Sequence, residues 1–117
     1  MPYINCVTSA SLDDAQREKI KAGFADALQK HAGKPEQWLM IAFNDGVPMY
    51  FKGNRDSQAA YIEIKHIGTF TPQQKENVAK AFCKLMHDAA GVPGLGAYVV
   101  FTGRDGGDWA HNGALFG

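Results

Sequence analysis

Pro2 and Lys34 are the side chains whose types and settings best suit proton chemistry beside a carbonyl group. A small residue after Met1 favours removal of the initiator methionine, which leaves proline as the first residue. Its nitrogen is then a free secondary amine, more basic than an ordinary α-amino group, which titrates near pH ~8. Apolar surroundings disfavour the ammonium form and bring the pKa down toward working pH, where a general base is most effective. Many chains begin Met-Pro for no catalytic reason, so this motif needs support from elsewhere. Lys34 lies in Gly33-Lys34-Pro35. Two readings stand open for it. One is a cation for a substrate carboxylate or an enolate oxygen. The other is a lysine that satisfies the last carbonyls of a helix.

Other chemistries find less support. His31, His66, His87 and His111 lack metal-ligand spacing, so no metal site is expected. Cys6 and Cys83 form neither a C-x-x-C pair nor a disulfide framework. Gly91-Val92-Pro93-Gly94-Leu95-Gly96 reads as a helix stop and turn, not a phosphate loop. Twelve basic and twelve acidic residues give no basic stripe for nucleic acid or an anionic membrane. No apolar run approaches the ~18 residues of a bilayer span, and no signal peptide is read at the start. A cytoplasmic location is therefore expected, with non-classical secretion left open.

The elements that must hold Pro2 and Lys34 are written twice. Shifting the chain by 58 positions lays 2–43 over 60–101 with nine identities in 42 positions, among them Tyr3/Tyr61, Phe24/Phe82, Gly33/Gly91 and Pro35/Pro93. Each copy opens with an alternating strand: Ile4 and Cys6 inward in one, Ile62 and Ile64 in the other. Each continues with an amphipathic helix, its apolar stripe carried by Ile20, Phe24, Ala27 and Leu28, then by Val78, Phe82, Leu85 and Met86. Ser11-x-x-Asp14 is read as the first capping box; Thr71, Pro72 and Gln74 start the second helix. Gly33 and Gly91 end them through a left-handed turn. Leu39–Phe43 and Ala97–Phe101 read as the closing strands.

The expectation is thus an α+β two-layer sandwich: one domain over 1–117, a duplicated β-α-β, and a four-stranded mixed sheet with both helices on one face. Pro48–Phe51 and Asp108–Trp109 are expected as short extra strands, suited to pairing with another chain's sheet edge. The sheet face without helices carries apolar side chains, which predicts oligomerisation. Pro2 aligns with Ala60, so the amine sits at a strand end. Lys34 aligns with Val92, so the architecture itself requires no lysine there. Trp109, Leu115 and Phe116 are costly to leave in water and should pack over a pocket or a neighbouring subunit.

The Met-Pro start, Gly33-Lys34-Pro35, His66-Ile67-Gly68 and the ending His111-Asn112-Gly113-Ala114-Leu115-Phe116 together resemble the macrophage migration inhibitory factor and D-dopachrome tautomerase family. The resemblance spans essentially the whole chain. It implies a cofactor-independent homotrimer with sites between subunits, catalysing keto–enol tautomerisation of phenylpyruvate-like or dopachrome-like enols and 2-keto acids. Carried over by position, Pro2 is the acid and base, and Lys34 binds the substrate carboxylate with help from the Ile67 backbone. Tyr98 lines the pocket from the adjacent subunit. Trp109 and Phe116 form an apolar wall, and Trp38, placed just inside the second strand, marks the rim. His66 and Val100 are carried over as further residues lining the substrate pocket, yet three positions depart from the family's best-known member: Val100 replaces an asparagine, His66 a serine and His111 a tryptophan. The family's C-x-x-C is absent as well. These departures bear on substrate identity more than on reaction type.

Two other functions fit the resemblance. A cytokine-like signalling or binding role would need a protein receptor, for which the sequence shows no surface. Hydratase, dehalogenase or decarboxylase chemistry needs further polar groups near the proline, and only Lys34 and His66 are candidates.

Overall fold

The computed structural model describes residues 2–117. The removal of Met1 concerns a residue outside these. Strand β1 (Tyr3–Thr8) leads to helix α1 (Asp14–Ala32) and strand β2 (Met40–Asn44). The second unit repeats this with β3 (Ala60–Ile67), α2 (Pro72–Ala90) and β4 (Ala97–Arg104). The helices keep the 58-residue offset of the repeat at both ends. The sheet order is β2-β1-β3-β4, with β1 parallel to β2, β3 parallel to β4, and the central pair antiparallel. This is the expected α+β two-layer arrangement.

Alternation decides which side chains meet the helices. Ile4, Cys6, Ile62 and Ile64 are fully buried against them. Phe24 and Phe82 pack at the centre, their rings tilted 33° with centroids 4.3 Å apart. Both helices start with a capping box and end on a left-handed glycine, Gly33 or Gly91. The first box is Asp13 with Gln16, not Ser11 with Asp14. A box needs a side chain long enough to reach back to the cap's N–H, which glutamine has and aspartate lacks. Asp45, just after β2, accepts from the Leu12 backbone N–H at 2.9 Å and pairs with Arg17, which ties the end of β2 to the start of α1.

The open sheet face is more polar than the sequence implied. Met40, Tyr61 and Tyr98 are exposed on it. Between them, the Asn44 amide donates to Asn5, and the Thr102 hydroxyl donates to Glu63. The extra strands also fall elsewhere. Pro48–Phe51 forms no strand; only a single bridge joins Phe51 to Asn54. Asp108 belongs to a tight turn, and the small hairpin is β5 (Ala110–His111) with β6 (Ala114–Leu115).

Candidate active site

One end of the sheet gathers most of the candidate residues. Tyr3 of β1 faces Lys65 of β3 and Met40 of β2, so Pro2 stands beside the last residues of β3 and the entry to β2. Its carbonyl accepts the Met40 N–H at 3.1 Å, and in the full-length chain the residue is buried. This bond holds Pro2 to the sheet edge and not on a free tail.

Lys34 reaches the same end by a different route. It follows Gly33, and its backbone N–H closes the turn on Leu28. The equivalent Val92 makes the same turn and sinks fully into the core. Lys34 instead carries its charge across to β3, where Nζ donates to the Ile67 carbonyl at 3.2 Å. The helix-end reading therefore describes its backbone, while the side chain serves the sheet end. An ammonium has three donors, so the Ile67 bond leaves donors for an acidic ligand.

The aromatic groups form a connected set nearby. Trp38 lies in the tight turn Glu36–Trp38 ahead of β2, not inside the strand, because β2 begins at Met40. Its ring meets His111 edge-on at 5.5 Å, and His111 lies over Phe116 at 6.3 Å. The Phe116 N–H donates to the Trp109 carbonyl at 3.0 Å, which folds the C-terminal segment back on itself. Trp38 and Phe116 stay partly exposed.

His66 is placed differently from Ile67, its neighbour. Its side chain points to the helix side of β3 and is 2 % exposed. It stacks on Phe70 at 3.9 Å, the rings within 5° of parallel. Burial lowers its pKa from the ordinary 6.5, nearby Lys34 and Lys75 add to this, and backbone groups of Ile67 and Gly68 oppose it. Phe70 also lies beneath the Lys34 ammonium, 5.8 Å from it. The sequence reading passed over Phe70; the available signal was a large apolar residue immediately before the Thr71 cap.

Tyr98 and Val100 lie apart from this cluster within one chain. Tyr98 pairs with Tyr61 near the start of β4, whereas Ile67 pairs with Arg104 at its end. Six residue steps along the strand separate Tyr98 from Arg104, about 20 Å. Phe51 meets the Tyr98 ring edge-on at 5.5 Å, beside a cavity of about 290 Å³ lined in part by Phe51, Lys52, Pro93 and Leu95.

The sequence profile of the macrophage migration inhibitory factor (MIF) family matches residues 1–117. The chain belongs to this family. A macrophage migration inhibitory factor homolog from Brugia malayi is 29 % identical over 117 residues and covers all of both chains. The crystal structure of Leishmania major MIF2 superposes with a TM-score of 0.90 at 28 % identity, covering 99 % of this chain and 97 % of the other. The homologue from Prochlorococcus marinus gives 0.89 at 28 %, covering 98 % and 99 %. A fused 4-OT structure, 17 % identical with a TM-score of 0.83, shares the fold. Membership of the MIF family accounts for the doubled β-α-β plan and for the full-length match. Among the described residues, no helix is long and apolar enough to cross a membrane.

Proposed function

We propose that this protein is a cofactor-independent keto–enol tautomerase in which the free amine of Pro2 serves as general acid and base. Its substrates are phenylpyruvate-like or dopachrome-like enols and 2-keto acids. The reading rests above all on Lys34 bonded to Ile67 at the strand end that also carries Pro2. A substrate carboxylate bound to the ammonium would set the carbon beyond the ketone, C3 of a 2-keto acid, against the amine. The neutral amine takes a proton from the carbon beside the carbonyl. The C–H electron pair becomes the C=C bond, the C=O π pair moves onto oxygen, and that oxygen takes the proton back from the Pro2 ammonium as the enol forms. The reverse sequence returns the proton to carbon.

In this reading Trp38, Trp109 and Phe116 hold the substrate's apolar part, and the Ile67 backbone fixes the Lys34 head. His66 supports Phe70 from below, and so acts on the site through Lys34 and not by touching substrate. Tyr98 and Val100 lie too far along β4 to reach Pro2 of their own chain. They complete the site of a neighbouring copy in a homotrimer. Turnover of phenylpyruvate enol, followed by ultraviolet absorbance, tests the proposal. Loss of turnover on changing Pro2 supports it, and an inactive wild-type protein across a panel of aromatic enols refutes it.

A further inference from the structure

We propose a second binding site, for a small anion such as a carboxylate or a phosphate, on the helix side of the sheet between β3, α2 and the end of β4. A cavity of about 180 Å³ opens there, lined by His66, Thr69, Phe70, Lys75, Arg104 and Asp105 among others. His66 is the decisive wall residue. Neither ring nitrogen has a partner in good hydrogen-bond geometry, the Ile67 and Gly68 backbone lying close without a formed bond, and both are closed to solvent. A neutral imidazole carries one N–H and one lone pair, and buried polar groups of this kind are nearly always satisfied. An unmet N–H in a cavity wall calls for an acceptor.

The surrounding charges define which acceptor fits. Lys75 and Arg104 line the cavity, and neither belongs to an ion pair among the described residues. Asp105 is the one carboxylate in the wall, so two cations face one anion. The excess positive charge selects an anionic oxygen ligand, which can accept from Lys75, Arg104 and the imidazole together. The ring edge must turn slightly into the cavity to donate. Gly103 lies alongside that edge, where an added Cβ would stand 3.3 Å from His66 Cε1 and 2.9 Å from the Gly68 oxygen. This pocket is separate from the face on which Lys34 meets Ile67, though Phe70 borders both.

Titration of the full-length protein with inorganic phosphate, and separately with acetate, tests the site. The ring nitrogen resonances of His66 are followed by NMR at constant ionic strength against chloride. A saturating shift is expected. In the double variant Lys75→Ala/Arg104→Ala, binding should weaken about tenfold or more, while Lys19→Ala on the far helix should change nothing. Saturation by acetate as well as phosphate identifies a carboxylate site, and saturation by phosphate alone identifies a phosphate site. A non-saturating response, an equal response to chloride, or unchanged binding in the double variant would overturn the proposal.

Discussion

Lys34 donates to the Ile67 carbonyl at 3.2 Å, joining the loop after α1 to the end of β3. Val92, its counterpart in the repeat, is buried in the core and makes no such link. The two halves of the duplicated fold thus differ at this position, with a lysine in one and a core valine in the other. Lys34→Ala should raise KM for carboxylate substrates by about 10- to 150-fold, the range of one charge-assisted hydrogen bond. Ester analogues should be nearly indifferent. Equal loss of kcat for acid and ester would instead assign Lys34 to charge developing on the enolate oxygen.

Separation of Tyr98 from Pro2 along β4 predicts subunit complementation. Light scattering should give about three times the 12.7 kDa chain mass. A Pro2 variant and a Tyr98 variant, each impaired alone, should recover activity when unfolded together and refolded as mixed trimers. A stable monomer at micromolar concentration, or no recovery on mixing, would contradict a shared site.

His66 sets a pH signature. Its pKa is lowered from 6.5 in the folded chain, chiefly by burial, so the folded state binds fewer protons than the unfolded state. Stability from this group is full above 6.5 and declines as pH falls below it toward the folded value. Urea midpoints measured across this range should fall with acidification. His66→Phe, which retains a ring against Phe70, should flatten that slope.

Gly96 ends the tight turn Gly94–Gly96 that aims β4 and Tyr98. A Cβ there would lie 2.8 Å from the Gln58 backbone oxygen. Gly96→Ala should therefore destabilise the fold by about 1–3 kcal/mol, as overpacking against fixed backbone does, measured by urea unfolding.

The repeat made the architecture legible, because the same stops, Gly33 and Gly91, and the same strand alternation recur at one offset. The site was legible only in pieces. Lys34 stood out because its repeat partner is Val92, but its bond to Ile67 is tertiary and left no local trace. His66 was read as a lining residue; strand parity decides that it points to the helices while Ile67 points away. The C-terminal hairpin was missed although its turn was written out. Asn112 and Gly113 both adopt positive φ, 51° and 78°, as the Asn-Gly hairpin signal requires. Pro48–Phe51, expected to pair with another chain's sheet edge, has within one chain only the bridge from Phe51 to Asn54.

The most direct test of the account is whether the amine of Pro2, and not merely its ring, carries the reaction. One alanine inserted ahead of Pro2 turns that amine into an amide while leaving the side chain in place. Intact mass fixes the N-terminus of each protein, and kcat/KM on phenylpyruvate enol is compared between them. The account predicts a loss of about 10²–10⁴-fold, the usual contribution of a general base. Undiminished kcat/KM in the extended protein would contradict it.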